Sequence, residues 1–329
     1  MMRNNRLIFV LLSLALCLLL SNCSDKINTR KVLHNNINCS DLEQSIAFYG
    51  MLGFFAPPAI DVEASAEDAA GLGMPAYQLR ASSMIHKDGF VIDLIEWLDP
   101  YDPSAPYALV NHLGLSRISL KTTDLDADMT TLQAQGVTFF SEPVTIDRPV
   151  VNSRIVCFKD PDGTLIELIE LGDTVGGPPN LGGTYVNGVL RTNVNCSDLE
   201  LSQSFYEMLG FETQSEVEEV GTTELATAFG LSSYHVRAST MALPGGHSLN
   251  LSKWEEPYDP SAPYALVNHI GIPRFAILTA NLNADIGILE AQGVEFYSEP
   301  VRPEGVFGIF RFVCFEDPDG TIIELVGFF

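Results

Sequence analysis

Three polar side chains, His34, Asn36 and Asn38, alternate with apolar neighbours that include Leu33 and Ile37. At the two-residue period of an extended strand, an imidazole and two carboxamides share one face while the aliphatic residues share the other. Such a strand packs helices on its apolar side and turns its polar side to a wet cleft. An imidazole there can bind a cation, hold a polar ligand or move a proton near neutral pH. The pattern returns as Arg191, Asn193 and Asn195 against Leu190 and Val194, now without the imidazole. Two further differences between the copies are Asp93 against Asn250 and Glu96 against Lys253. Glu96 should point away from Asp93 along its strand. Glu324 lies between Ile322 and Val326 on one strand face, where a charge needs a partner. No Ser-His-Asp arrangement, phosphate loop or nicotinamide fingerprint occurs.

The residues around these positions form a tandem duplication. PYDPSAPYALVNH at 100–112 recurs letter for letter at 257–269, a displacement of 157 positions. NCSDLE at 38–43, MLGF at 51–54 and DPDG at 160–163 return at the same displacement. Repeats of this length are whole domains, and 329 residues suit two of them. Tyr77, Arg80, Trp97 and His112 recur as Tyr234, Arg237, Trp254 and His269, which speaks for shared architecture. The expected boundaries are a targeting segment at 1–23, a linker at 24–31, a domain at 32–172, a Gly/Pro linker at 173–184 and a second domain at 185–329.

Each copy divides again. After the first strand, Ser40 and Glu43 stand at capping-box spacing, and Gly53 closes the helix they open. Tyr77 to Ile85 and Gly89 to Trp97 read as strands. The opening then repeats, with Arg117 to Leu120 as strand, Asp124 starting a helix and Gly136 ending it. Strands at 138–140, 154–158 and 164–171, with a tight turn at Asp160 to Gly163, complete the copy. The fold class is α+β: two tandem domains, each a pair of β-α-β-β-β modules.

The paired modules, the DLxxSxxFYxxLGF helix (Asp41 to Phe54, Asp198 to Phe211) and the DPDGxxxEL hairpin (Asp160 to Leu168, Asp317 to Leu325) resemble the vicinal oxygen chelate superfamily. Its members include glyoxalases, extradiol dioxygenases and antibiotic-resistance proteins. The resemblance covers nearly the whole chain beyond the first residues, twice. It implies that each pair of modules forms a half-open barrel around a cleft, with a divalent metal that chelates one edge of a substrate. The resemblance places metal ligands at His34, Asp93 and Glu167, and Asp93 or Glu167 as a base. The fourth place holds Arg117, whose guanidinium has no lone pair to offer.

Two outcomes follow for the first domain. His34, Asp93 and Glu167 hold iron, manganese or zinc, with Arg117 and Asn36 available to a substrate. Alternatively Arg117 pairs with Glu167, and His34 and Asp93 hydrogen-bond across a metal-free cleft. In the second domain the same places hold Arg191, Asn250, Arg274 and Glu324. Its two arginines are expected to answer the glutamate in place of an ion, leaving a structural or binding half.

The formal net charge of −24 excludes the basic face that nucleic acid requires. Arg3 and Arg6 before the uncharged run Leu7 to Leu20 read as a signal peptide. Leu20 to Cys23 resembles a lipoprotein box, with Asn22 where a small residue is usual, so Cys23 is the expected lipidation site. Export to the periplasm, with a lipid anchor in the outer membrane as the sole membrane contact, is the expectation. Cys39, Cys157, Cys196 and Cys314 remain, either as buried thiols or as one disulfide per domain. The expected function is a metal-dependent lyase, isomerase or dioxygenase acting on a small polar molecule, or a metal-free small-molecule binder. The expected export argues against substrates that depend on cytosolic glutathione or coenzyme A.

Overall fold

The strands β1 (Thr29–Asn38), β5 (Val91–Asp99), β14 (Gly271–Thr279) and β16 (Ile322–Phe328) lie side by side in one sheet, although the first two and the last two belong to different repeats. The structure is a computed structural model that describes residues 26–146, 152–172, 176–244, 246–303 and 309–328. Residues 1–23, with the proposed signal peptide and Cys23, lie outside the described residues.

Module 1 contains β1, α1 (Leu42–Met51), β2 (Phe54–Phe55), β3 (Ile60–Glu63), α2 (Ala66–Gly71), β4 (Gln78–His86) and β5. Module 2 contains β6 (Gly114–Thr122), α3 (Leu125–Ala134), β7 (Val144–Ile146), β8 (Ser153–Lys159) and β9 (Leu165–Leu171). Module 3 contains β10 (Val186–Asn195), α4 (Leu199–Met208), β11 (Glu212–Val220), α5 (Thr223–Ala228), β12 (His235–Ala242) and β13 (Ser248–Glu256). Module 4 contains β14, α6 (Leu282–Ala291), β15 (Phe310–Glu316) and β16. The α+β class and the tandem modules are as the sequence implies. Their partnership is not.

One eight-stranded sheet joins modules 1 and 4 in the order β15-β16-β14-β1-β5-β4-β2, with β3 on β4. The other joins modules 3 and 2 in the order β11-β12-β13-β10-β6-β9-β8-β7. Each half-barrel therefore takes one module from each repeat, which corrects the expectation that the two modules of a repeat share a cleft. The physical cause lies in the duplicated connectors. Pro100, Pro103 and Pro106 stiffen the path from β5 and carry the chain to β6 in the other sheet, and residues 257–270 make the return crossing.

The connectors meet at an approximate twofold. The Tyr107 amide donates to the Tyr264 hydroxyl and the Tyr264 amide to the Tyr107 hydroxyl, both at 2.9 Å, and the two rings stack at 3.9 Å. Asn111 donates to Pro257 O and Asn268 to Pro100 O. Asn38 and Asn195 each donate to two carbonyls of the opposite connector. A residue that packs against its own repeat-mate cannot change alone, which accounts for the literal repetition of this stretch. His112 and His269 stack on Tyr107 and Tyr264, so they serve this clasp.

Local chemistry explains the helix starts. Asp41, one residue past the expected Ser40, caps α1 by accepting the Gln44 amide at 2.9 Å. Glu43 reaches Arg80 instead of turning back to the cap. The buried Tyr49 hydroxyl donates to Asp160 at 3.0 Å, and Asp160 also accepts the Asp162 and Thr164 amides. Tyr206 and Asp317 repeat this tie at 3.0 Å. A module-1 helix is thereby fixed to a module-2 turn, so the repeat survives in helix packing while the sheets cross between repeats.

Both expected linkers are partly structured. β1 begins at Thr29, inside the segment 24–31, and the Thr29 hydroxyl donates to Leu209 O. In the segment 173–184, Thr184 donates to Met51 O at 2.7 Å. Gly182 lies so close that an added Cβ would stand 2.2 Å from Gly50 O, so only glycine fits. The span at 138–140 is reduced to a single bridge from Phe139 to Phe158. Cys39, Cys157, Cys196 and Cys314 are free and buried, and burial pushes the Cys39 and Cys196 thiols up to about 12.

Candidate functional site

Four neighbouring strands, β16, β14, β1 and β5, build the floor of the cleft between modules 1 and 4. Strand β1 pairs with β5 in parallel and with β14 antiparallel, which sets Asn36 beside both Asp93 and Arg274. The same pairing sets His34 beside Ala276, and Ala276 beside Glu324 of β16. Directly paired residues share a sheet face. The small Ala276 thus leaves room for His34 and Glu324 to meet above it. His34 Nε2 lies 3.4 Å from Asp93 Oδ2 and 3.7 Å from Glu324 Oε2. The same Glu324 oxygen accepts Arg274 Nε at 3.1 Å.

The sequence expectation of His34, Asp93 and Glu167 as one set is therefore corrected. His34 and Asp93 do meet, but with Glu324 and Arg274 of the other repeat. Glu167 and Arg117 lie in the second cleft. Asn36 lines the first cleft, with its Oδ1 buried and without a hydrogen-bond partner. Glu96 faces outward to Arg80 at 3.0 Å.

Burial disfavours the charged form of His34, but Asp93 and Glu324 outweigh it and raise the imidazole above its ordinary value. Burial likewise opposes ionisation of Glu324, and His34 and Arg274 overcome it, holding the carboxyl at about 2. The floor is an ion-paired chain: Arg274 answers Glu324, and His34 answers Asp93. Above it lies a cavity of about 660 Å³, walled by apolar groups such as Leu72, Leu79, Ile95, Phe310 and Phe312.

A metal centre needs converging lone pairs and room for positive charge. His34, Asp93 and Glu324 approach one another, yet Glu324 Oε2 already carries a guanidinium hydrogen bond. A divalent ion about 4 Å from that guanidinium would meet roughly 8 kcal/mol of repulsion at an effective dielectric near 20. Among the described residues no three His, Cys, Asp or Glu are arranged to hold a metal. As arranged, these residues do not fit a divalent ion.

The cleft between modules 3 and 2 has the same plan with different chemistry. Arg191, Ser119 and Glu167 form the row that His34, Ala276 and Glu324 form in the first. Glu167 accepts the Ser119 hydroxyl, and lies 3.5 Å from Arg117 Nε and 3.7 Å from Arg191. Burial raises its carboxyl, but the two arginines win and hold it below the ordinary range. Asn250 donates to Ser252 at 2.8 Å, and Arg117 lies 5.4 Å over the Phe229 ring. The expectation that Arg191 and Arg274 share Glu324 is corrected: Arg274 takes Glu324, while Arg191 reaches Glu167. This cavity is about 60 Å³, and its lining includes Phe229 in place of Leu72 and Glu219 in place of Val62.

Asp68 is the residue that sequence reasoning missed. It lines the larger cavity from α2, is 8% exposed, and is replaced by Leu225 in the other copy. That substitution, in a stretch where the copies differ widely, was the available signal.

A family model described as Glyoxalase/Bleomycin resistance protein/Dioxygenase superfamily matches residues 31–168 and 188–325. Glyoxalase I from Zea mays has a similar structure, with a TM-score of 0.62 at 16% identity, covering 91% of this chain and 93% of that one. A protein from Bacillus subtilis, provisionally assigned as a dioxygenase, superposes with a TM-score of 0.59 at 13% identity, covering 92% of this chain and 86% of that one. At these identities the likeness is one of fold. No curated protein matches the sequence.

Proposed function

Because this chain belongs to the Glyoxalase/Bleomycin resistance protein/Dioxygenase superfamily over both of its repeats, we propose that it is a small-molecule-binding member whose working cleft lies between modules 1 and 4. In this reading the floor that holds a divalent metal in many members is replaced by the chain Arg274–Glu324–His34–Asp93. The observation that carries it is the 3.1 Å bond from Arg274 Nε to the Glu324 oxygen that faces His34. Apolar walls would take the body of the ligand, and the orphaned Asn36 Oδ1 and Asp93 Oδ1 would accept its donors. The smaller cleft, filled by its own side chains, is a structural counterpart. The expected export would place this cleft in the periplasm.

The competing reading is a metal-dependent lyase, isomerase or dioxygenase. The approach of His34 to two carboxylates is what favours it. Metal analysis of the purified full chain, of Arg274→His and of His34→Ala separates the two. The binder reading expects metal-free protein after incubation with zinc, manganese or ferrous iron, and zinc uptake only in Arg274→His. Near-stoichiometric metal in the unaltered protein that falls in His34→Ala would overturn it.

A further inference from the structure

The charges lining the large cleft leave carboxylates over: Asp61, Glu63, Asp68, Asp93 and Glu324 stand there with only Arg274 and His34, and Asp61 turns to Arg80 at 3.5 Å. Arg274 is matched by Glu324 at 3.1 Å and His34 by Asp93 at 3.4 Å. Asp68 faces the same cavity from α2 at 8% exposure. Among the described residues its carboxylate has no hydrogen-bond or ion-pair partner, although its main chain is held by Ser65 at 3.0 Å. Asp68 is the third residue of α2, from which a capping-box side chain would turn back to the residue before the helix. No such bond forms. Asp68 thus presents an unpaired carboxylate to a largely apolar cavity, where a lowered dielectric strengthens its attraction for a cation.

We propose that the cleft between modules 1 and 4 selects a cationic amphiphile: a small molecule with one protonated amine, lodged against Asp68, on an apolar body that fills the cavity. This inference rests on the small-molecule-binding reading and adds the ligand's charge. An anionic group would find one free donor, Arg274 Nη1, and would lie among the carboxylates of Asp61, Glu63, Asp68 and Asp93. A neutral apolar molecule would fit the walls and strand Asp68 without a partner. Tyr77 adds an aromatic ring to the same wall, held edge-on to Trp97 at 5.3 Å, and such a ring face also favours a cation. The second cleft makes the opposite choice at each place. Leu225 replaces Asp68, Asn250 replaces Asp93 and Arg191 replaces His34. Selection for an amine therefore belongs to one cleft alone.

The test is titration calorimetry of the full chain with three probes of similar body: tryptamine, indole-3-propionate and 3-methylindole. Tryptamine is expected to bind at least tenfold more tightly than the other two. Asp68→Asn should erase that preference, Asp68→Glu should keep most of it, and Asp126→Asn, on the far surface of α3, should leave it unchanged. Circular dichroism would establish that each variant is folded. If 3-methylindole or indole-3-propionate binds as tightly as tryptamine, or Asp68→Asn retains the amine preference, the cation inference falls while small-molecule binding stands. If none of the probes binds and metal is found at stoichiometry, both readings fall.

Discussion

The two clefts are built on one plan and solve opposite electrostatic problems. Between modules 3 and 2, two arginines converge on Glu167, a serine hydroxyl completes the carboxylate, and Phe229 closes over Arg117. Between modules 1 and 4, a histidine replaces one arginine, an alanine replaces the serine, and the carboxylates of Asp68 and Asp93, which are Leu225 and Asn250 in the other cleft, face an open space of about 660 Å³. The register of the floor strands is common to both, so on the floor the difference resides in side chains. A closed ion-pair lattice fixes a sheet. An open floor with an unmatched charge is poised for a ligand.

The largest effect that could break this comparison is removal of each central carboxylate. Glu167→Gln leaves Arg117 and Arg191 without their shared anion and should cost about 3–5 kcal/mol. Glu324→Gln leaves Arg274 beside an imidazole that can shed its proton, and should cost about 1–3 kcal/mol. Urea unfolding of both variants checks the order, and a larger loss at Glu324 would refute it.

Exchanging the residues that differ at α2 and α5 comes next. Asp68→Leu removes one of several carboxylates lining the same cavity and should stabilise the protein by up to about 1 kcal/mol, whereas Leu225→Asp puts a charge at a buried apolar place and should destabilise it by about 1–3 kcal/mol. Thermal melting in the absence of added ligand reads both signs. A loss of stability in Asp68→Leu would show that the carboxylate is already satisfied.

The connectors should respond alike where the clefts do not. Tyr107→Phe and Tyr264→Phe each orphan one buried amide, for about 1 kcal/mol apiece. Unequal losses would break the twofold relation of the clasp.

The smallest effect is a pH slope. His34 is raised above its ordinary value of 6.5, so its stabilisation is complete below that pH and is lost as pH rises through the raised value. Glu324 is lowered to about 2, so its contribution is complete above its ordinary value of 4.5 and is lost as pH falls through about 2. His34→Gln should flatten the alkaline-side slope and leave the acid limb in place. An unchanged slope, measured by melting between pH 6 and 9, would remove His34 from the pair.

Much of this was legible in one dimension. Exact repetition gave the duplication, period-two alternation gave His34 and Asn36 their cleft-facing side, and glycines at 53 and 136 marked helix ends through backbone angles that disfavour other residues. The divergence of His34 from Arg191 and of Asp93 from Asn250 pointed to the cleft that differs. Those signals are local, because each depends on residues within one turn or one strand.

Only the tertiary structure decided who meets whom. Strands of the two repeats carry the same apolar and polar faces, so module 2 and module 4 are equally acceptable partners for module 1 by pattern. The path of two proline-stiffened connectors chose module 4, and with it Glu324 and Arg274 in place of Glu167 and Arg117. Asp68 was hidden for a related reason. Whether a carboxylate on a short helix is solvated or stranded depends on what packs around it, and that is a property of the assembled cleft.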